Sequence, residues 1–576
     1  MFGIKIYRQD REEISKKVAW GHWFVFFNCI FYILIGVRYA FLIDWPNTLF
    51  GKTYFFISLF GHFSFIIFAF YLLIFFPLSF IIKNNRTYRG ISVVVASLGA
   101  TLMLVDTEIF ARFHFHISSV VWNLLVNPEN GELSRQWQLF FAPMPLILLL
   151  EMVFSRWSWQ KLRSLERQKW LKGVGLFFVS MFLATHFIYA WADATLYRPI
   201  TMQKSNFPLS YPMTARSFLE RHGLLDKAIY QQQIKQQGRA DALSINYPKE
   251  KLIFSKTKHS TPNILIINLA GWRKDYVNTT AMPFFSHFSN QSTIFDHHYS
   301  TGNNENTGLT GLFYALDPSY SDSLLRDKIS SIFIDHLKTL NYKIGLFLQS
   351  TTQSTILSNA LFIKEITHKK SVHKIKNFTH WQQTQQQPWF AFLSQSIPLN
   401  LNPQQYLQNI KQFDQELANI FQQLDLTKTL VVVTATQGYS FEKLTERQLS
   451  NHFSRDLIEV PMFIFWKNLA HRKIEHLTSH TDLVPALMQN LFHIKNPTQD
   501  YAQGHNLFNL SLKQDWVLAG NYNWNVIVTN NNVQYHIDDK GNYQKYNANY
   551  QKVSSEQPPL GLFLEVFTQE ASFFKK

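Results

Sequence analysis

The sequence predicts two fold classes in one chain: a bundle of five membrane-spanning helices, followed by an α/β domain with a largely parallel sheet. Phe, Leu, Ile and Trp crowd residues 1–195 of the 576 residues, whereas the remainder is rich in Gln, Asn, Ser and Thr. Short apolar runs alternate with helical stretches after residue 262. We therefore divide the chain into a transmembrane region 1–195, a juxtamembrane segment and linker 196–261, and a water-soluble domain 262–576.

Five apolar stretches in the first region are candidates for spans, because ~20 mostly apolar residues cross the ~30 Å hydrocarbon layer. They lie at about 19–43, 54–82, 91–109, 138–154 and 173–192, and the fourth is short. The first is too long for a signal-peptide core and no small-residue cleavage site follows it. We expect it to be retained.

Basic residues alternate between the loops of this region. They stand before the first span, after the second, and between the fourth and fifth, where the cations are Arg156, Lys161, Arg163, Arg167, Lys169 and Lys172. The loops on the opposite side of the membrane contain few basic residues. The positive-inside rule then predicts a cytoplasmic N-terminus and, after five spans, a soluble domain outside the cytoplasm.

The net charge of +16 does not by itself indicate a nucleic-acid-binding protein, because much of the excess lies in these short loops. Loop cations are attracted to anionic headgroups by roughly 1 kcal/mol each. The single cysteine, Cys29, lies in the first span and excludes a disulfide framework.

The segment after the last span, YRPITMQKSNFPLSYPMTARSFLERHGLLD, begins with prolines at 199, 208 and 212 that prevent a continuous helix. From Thr214 the pattern predicts a short helix, N-capped by Thr214 and ended by Gly223. A planar guanidinium pairs bidentately with phosphate, so Arg216 is a candidate for an anionic lipid headgroup. A generic interfacial arginine is the alternative.

Apolar runs at 263–269, 343–348, 389–393, 430–434 and 462–466 predict buried strands. Sites in parallel sheets form beyond the carboxyl ends of strands. The segments of interest are therefore 270–272, 394–398 and 435–438.

Four stretches resemble sulfatases: SHTDLVPAL at 479–487, VPMFI at 460–464, GHNL at 504–507 and LVVVTATQG at 430–438. The resemblance implies an alkaline-phosphatase/sulfatase-like fold. Such enzymes hold divalent metal with carboxylates and histidines and attack the ester with a hydroxyl or modified cysteine. The matching positions here are unsuitable: Ala270, Asn304, Thr436 and Gln437. We therefore expect no catalytic residue, no metal and no cofactor.

Nearby side chains leave one alternative open. Glu305, Asp296, His297 and His298 could form a different metal cluster, although adjacent strand residues face opposite ways. His480 and Asp482 are expected to stabilise the fold by hydrogen bonds.

The five spans, the block YPMTARSFLERHGLLD and the loop STGNNENTGLTGLFYAL together resemble the PbgA/YejM family of Gram-negative inner-membrane proteins. The resemblance implies a periplasmic soluble domain and binding of lipopolysaccharide through lipid A. It also implies control of lipopolysaccharide synthesis through an adaptor that presents the lipid A deacetylase to a membrane protease. The implied lipid contacts are Met213, Thr214, Arg216, Phe218 and Leu219. Relatives often carry two consecutive arginines here, whereas Ser217 follows Arg216 in this chain. Two alternatives stay open: a weaker affinity for the phosphate, or compensation by Arg221.

Two other functions remain as hypotheses at this point. One is a metal-dependent phospho- or phosphoethanolamine-type transferase or phosphatase. The other is a cardiolipin-binding or lipid-transport protein.

Overall fold

A computed structural model describes residues 2–113, 116–118, 141–162, 169–255, 261–349, 354–367, 372–373, 375–538, 541–553 and 560–575. Its N-terminal region is helical, with α1 Phe2–Gly36, α2 Leu49–Phe70, α3 Phe76–Ile81, α4 Asn85–Phe113, α5 Met144–Lys161 and α6 Lys169–Ala194. A π-helical turn joins α2 to α3 just before Pro77, which cannot donate to the helical ladder.

By length and composition, four helices in the described ranges can cross a membrane: Arg11–Phe41, Leu49–Ile81, Asn85–Arg112 and Lys172–Ala194. They match the first, second, third and fifth expected spans. The expected fourth span, 138–154, begins outside the described residues, and α5 at its position carries Glu151, Arg156 and Lys161. The structure therefore supports four candidate membrane helices at the N-terminus.

The helices share an aromatic core, and α5 belongs to it. α5 packs against α1 and α4. Trp20 donates from Nε1 to the Ser155 carbonyl (3.0 Å), and the buried Glu151 accepts from Asn28 (3.1 Å). Where α3 ends, the buried Lys17 ammonium donates to the carbonyls of Ser79 and Ile82, which is the favourable place for a cation on a helix.

The juxtamembrane segment contains α7 Arg198–Thr201, α8 Arg216–Arg221 and α9 Lys227–Gln237. Asp226 caps α9 by accepting from the backbone of Ala228 and Ile229. The predicted N-cap at Thr214 is wrong: α8 follows Ala215, which has a left-handed backbone (φ 48°) and makes no side-chain cap. The predicted stop is confirmed, since Gly223 follows the helix with φ +68°.

An eight-stranded sheet in the order β4-β3-β5-β1-β6-β7-β2-β8 forms the centre of the soluble domain. The strands are β1 Asn263–Ala270, β2 Thr293–Tyr299, β3 Lys343–Leu348, β4 Val372–His373, β5 Trp389–Ser396, β6 Thr429–Thr434, β7 Met462–Phe465 and β8 Lys473–Ser479. β7 runs antiparallel to its neighbours and the other pairs are parallel. The expected largely parallel sheet is confirmed.

Successive residues of β1 face two separate cores, as the strand period requires. Ile264 and Ile266 lie in one apolar cluster, whereas Leu265, Ile267 and Leu269 lie in the other. Helices cover both faces: α10 Pro283–Phe288, α11 Glu305–Tyr314, α12 Ser321–Asp327, α13 Ile332–Thr339, α14 Ile363–Thr367, α15 Phe378–Gln383, α16 Pro403–Phe421, α17 Glu446–Ser450, α18 Arg455–Ile458 and α19 Leu483–Asn490.

A second sheet, not predicted from the sequence, follows as an antiparallel meander. It comprises β9 Trp516–Asn521, β10 Trp524–Thr529, β11 Gln534–Asp538, β12 Tyr543–Tyr546 and β13 Lys552–Val553, with α20 Leu560–Glu570 after it. Val517, Ala519, Val526 and Val528 pack on one side of this sheet against Tyr299 and Leu457. On the other side, Trp516, Leu518, Ile527 and Ile537 pack against Phe563 and Val566 of α20.

Candidate functional site

The ends of β1 and β6 meet at the carboxyl edge of the main sheet, and three predicted site positions lie there. Ala270 ends β1 and is buried, and the next residue, Gly271, donates from its backbone N–H to the Gln437 carbonyl (2.8 Å). Thr436 is fully buried and its N–H donates to Asn268 Oδ1 (2.8 Å). The geometry thus brings Ala270, Thr436 and Gln437 together, as the sulfatase resemblance implied.

The fourth position, Asn304, comes from the start of α11. Its side chain is the N-cap of that helix and accepts from the Thr307 N–H (3.1 Å). Gly308 brings α11 against the strand edge, since a Cβ there would lie 2.1 Å from the Thr436 carbonyl oxygen. Asn304 therefore satisfies a helix end at the place where the resemblance implies a nucleophile.

The described residues at this edge do not fit a divalent metal. Among the residues that the structure places, no three His, Cys, Asp or Glu side chains lie close enough to hold an ion. Asp296 is paired with Lys274 (3.0 Å) and Lys473 (2.9 Å), and Glu459 with Lys274 (2.9 Å) and Arg455. These carboxylates already have cationic partners. His297 joins the same cluster through Glu459 (3.2 Å).

The neighbouring His298 faces the opposite way and is fully buried with His480. His480 Nε2 donates to the Ala435 carbonyl (3.0 Å), so its Nδ1 accepts from His298 Nε2 (2.8 Å). His298 Nδ1 then accepts from the Thr478 hydroxyl (2.9 Å). Burial lowers the pKa of His480 to about 4 and that of His298 well below its ordinary value. Both rings are neutral and all four ring nitrogens have partners.

Asp482 is also occupied within the fold. Its carboxylate accepts from the N–H groups of Ser479 (2.8 Å) and His505 (2.7 Å) and from the Gln514 amide (2.8 Å). The contacts of His480 and Asp482 are those of fold-stabilising residues.

Of the two carboxyls in the alternative cluster, Asp296 is paired with lysines, whereas Glu305 has no cationic partner among the residues that the structure describes. Burial raises the pKa of Glu305 to about 7. Its Oε1, Thr436 Oγ1 and Gln437 Oε1 are buried and have no hydrogen-bond partner among the described residues. Two neutral oxygens and a carboxyl that is half protonated near neutral pH form a weak donor set for a divalent cation.

Glu305→Gln is expected to stabilise the chain much more at pH 8 than at pH 5. The folded state keeps the Glu305 proton at pH values where the unfolded chain has lost it. The free energy of unfolding therefore falls as pH rises from the ordinary pKa of 4.5 towards about 7. The gain at pH 8 has an upper limit of roughly 3 kcal/mol. Denaturation midpoints of the full chain in detergent at both pH values measure it.

The exposed Glu250→Gln is the matched control for that measurement. An equal gain from Glu305→Gln at pH 5 and pH 8 would contradict the assigned burial.

The second candidate site lies where the chain leaves the last candidate span and turns back into the bundle. Phe207 is 3% exposed and its ring lies 5.2 Å from Phe63 and 5.3 Å from Phe55, measured between centroids. The next residue, Pro208, accepts from His62 Nε2 (2.7 Å), about 20 Å along α2 from Leu49 at 1.5 Å rise per residue. Residues 203–213 therefore form a re-entrant strap.

Three more polar contacts hold this strap, as irregular backbone at membrane depth requires. Gln203 donates to the Gly51 carbonyl (2.7 Å), and His116 Nε2 donates to the Ser205 carbonyl (2.8 Å). At the far end of the strap, the Met213 N–H donates to His186 Nδ1 (3.1 Å). The strap is thereby fixed to α2, α6 and the turn after α4.

Arg216 begins α8 immediately after the strap, and two residues hold its guanidinium. Nε and Nη2 donate to the two carboxylate oxygens of Asp193, at 2.6 and 2.5 Å. Its Cζ lies 5.2 Å from the ring centre of Tyr230. The pKa of Arg216 is raised, and the largest cause is its hydrogen bond to Asp193. The Arg216 side chain remains 42% exposed.

The other predicted lipid contacts surround this group unevenly. Met213 and Phe218 are large apolar side chains that are 44% and 55% exposed. Thr214 and Leu219 are partly buried, and Arg221 is exposed and donates from Nε to the Ser217 carbonyl (3.0 Å). The structure brings the predicted residues onto one short helix and its approach.

Sequence reasoning missed the residues that position this site: Asp193, Tyr230, Phe207 and His62. Two signals were present. Asp193 is an acidic residue at the end of an apolar span, and Phe207 is a large apolar residue that directly precedes a proline in the segment after that span.

Family models match stretches in both regions of the chain. A family model described as Domain of unknown function (DUF3413) matches residues 7–254, and the model Sulfatase matches residues 367–494. The chain is similar to a phosphonate monoester hydrolase of Agrobacterium radiobacter (TM-score 0.42, 12% identity, 54% of this chain and 95% of that one). It is also similar to an alkaline phosphatase superfamily protein from Vibrio parahaemolyticus (TM-score 0.43, 12% identity, 57% and 92%).

Relatives that align over almost the whole chain have higher sequence identity. A Haemophilus influenzae protein that carries the name Uncharacterized protein is 52% identical over 578 residues, which are 99% of this chain and 98% of the relative. The inner membrane protein YejM of Salmonella typhi is 37% identical over 582 residues and 98% of each chain. The sulfatase-like α/β domain and the apolar N-terminal helices fit this relationship. The chain therefore belongs to the family of the inner membrane protein YejM.

Proposed function

We propose that this protein is a non-catalytic lipopolysaccharide sensor of the inner membrane that binds lipid A through its juxtamembrane segment. One observation carries the proposal. The Arg216 fork is held beside the end of the last candidate span and flanked by the exposed Met213 and Phe218. The guanidinium can pair with a phosphate on a sugar headgroup, and the exposed apolar side chains beside it can contact the acyl chains.

The proposed orientation has five spans, a cytoplasmic N-terminus and a periplasmic soluble domain. α5 is the fourth span in this scheme. Its position between α1 and α4, and the bond from Asn28 to Glu151, support its place in the bundle, because intramembrane carboxyls face the interior and need partners. The basic loops then face the cytoplasm, and Arg216 lies at the outer leaflet.

The residues at the carboxyl edge of the main sheet support a binding role over a hydrolytic one. The sheet keeps the framework of a sulfatase-like fold, but Ala270 cannot ligate a metal and Asn304 is engaged as a helix cap. The proposed regulatory partner is a membrane adaptor that controls proteolysis of the lipid A deacetylase. Occupancy alters that partner only if lipid A binds two conformations of the chain unequally. The strap supports such coupling, since it connects the lipid-facing helix to the bundle core through Phe207.

Gentle extraction of the full chain, followed by mass spectrometry of retained lipids and bound metal, tests the proposal. We expect lipid A to be enriched over its share of the membrane. Enrichment of cardiolipin without lipid A would favour the cardiolipin-binding hypothesis. Stoichiometric divalent metal, together with Mg²⁺-dependent hydrolysis of a phosphate monoester that Glu305→Gln abolishes, would favour the enzyme.

A further inference from the structure

The guanidinium of Arg216 presents two edges with paired N–H groups, and the structure uses only one of them. The edge formed by Nε and Nη2 faces Asp193. The other edge, formed by Nη1 and the second N–H of Nη2, makes no hydrogen bond to a residue that the structure describes, and the side chain is 42% exposed. A bidentate acceptor can therefore approach Arg216 without displacing Asp193.

Asp193 itself is 4% exposed, and Arg216 is the one cation bonded to it among the described residues. If Arg216 left to bind a ligand elsewhere, a buried carboxylate would remain without compensation. Sharing the guanidinium avoids that cost. The ring of Tyr230, 7% exposed, covers one face of the guanidinium and restricts its rotation.

From this arrangement we propose that Asp193 and Tyr230 are positioning residues that aim the outer edge of Arg216 at a phosphate monoester. The inference rests on the proposed lipid A site and adds the residues that determine which anion that site prefers. The Arg216–Asp193 pair has no net charge. Its preference for a phosphate monoester over other anions then depends on the direction of the N–H groups rather than on overall attraction.

Asp193→Asn and Arg216→Ala, each in the full chain in nanodiscs, separate this inference from the site itself. The probes are lipid A with both phosphates, phosphatidylglycerol, and inorganic phosphate in solution. For Asp193→Asn we expect about 5- to 10-fold weaker binding of lipid A, with phosphatidylglycerol binding unchanged or stronger because the site gains a positive charge. Asp193→Glu, which retains the charge, is expected to recover part of the loss.

Tyr230 supplies an independent test if Asp193→Asn does not fold. Tyr230→Leu removes the ring face and is expected to lower the ratio of lipid A to phosphatidylglycerol binding. Tyr230→Phe keeps the face and is the matched control, expected to bind as the unmodified chain does.

Several results would overturn the inference. If Asp193→Asn binds lipid A as tightly as the unmodified chain does, Asp193 does not position Arg216. If the variant binds lipid A more tightly, Asp193 competes with the ligand. Equal losses for lipid A and phosphatidylglycerol would indicate a structural role alone. If inorganic phosphate binds as tightly as lipid A does, the outer edge of Arg216 is a site for a soluble anion. Loss with Asp193→Asn but not with Arg216→Ala would refute the Arg216 site, whereas loss with Arg216→Ala alone would refute only the positioning role.

Discussion

Arg216→Ala is expected to lower lipid A retention by at least about 10-fold, because it removes charge-assisted hydrogen bonds to a phosphate, each worth roughly 1.5–3 kcal/mol. The variant also leaves Asp193 buried without its cation. Some loss of stability is therefore expected alongside the loss of lipid. Mass spectrometry of lipids retained by the extracted full chain measures the first effect, and thermal unfolding measures the second.

Lys235→Ala is the matched control, since Lys235 is an exposed cation on the neighbouring helix α9 and is not one of the assigned lipid contacts. We expect a loss of less than about 3-fold from it, of the size that a surface cation contributes. In cells, Arg216→Ala is expected to change the lipopolysaccharide level and Lys235→Ala is not. Equal lipid retention by Arg216→Ala and the unmodified chain would remove the assigned site.

Phe207→Ala is expected to destabilise the membrane region by about 3–5 kcal/mol, the usual cost of truncating a buried phenylalanine. The Phe207 ring packs among Tyr39, Phe55, His62 and Phe63, so its loss opens a cavity inside the bundle. The strap then loses its main apolar anchor. Thermal unfolding of the full chain in detergent measures the stability, and limited proteolysis within residues 203–213 reports release of the strap.

Phe218→Ala is the comparison for Phe207→Ala, because it removes the same ring from a 55% exposed position. It is expected to reduce lipid A retention with a stability change below about 0.5 kcal/mol. The two substitutions thus separate lipid contact from strap anchoring. Equal unfolding temperatures for Phe207→Ala and the unmodified chain would show that the strap does not depend on this anchor.

The central sheet could be predicted closely from the sequence. The runs at 343–348 and 430–434 match β3 and β6 to within one residue, because parallel strands buried on both faces are continuous apolar segments. β2 and β8 were missed because they mix apolar with charged residues, such as Asp296 and Lys473, which pair across the sheet. The strands β11, β12 and β13 of the second sheet were missed for the same reason, since they also mix apolar with polar or charged residues.

The two candidate sites were predictable to different degrees. Ala270, Thr436 and Gln437 could be placed together because strand ends in a parallel sheet share one edge. The predicted Thr214 cap failed because the strap enters α8 through a left-handed turn at Ala215. That turn follows from the fixed positions of Met213 and Arg216, which residues of α6 hold.

The amino-acid sequence by itself determined the division into membrane and soluble regions, the strands of the main sheet and the residue types at their ends. Each of these follows from apolar content and spacing within a short window. Only the tertiary structure decided that Arg216 pairs with Asp193, that Phe207 returns into the bundle, and that His298 and His480 satisfy one another. Those contacts join residues far apart in the chain, and their energy depends on burial and direction that no local pattern specifies.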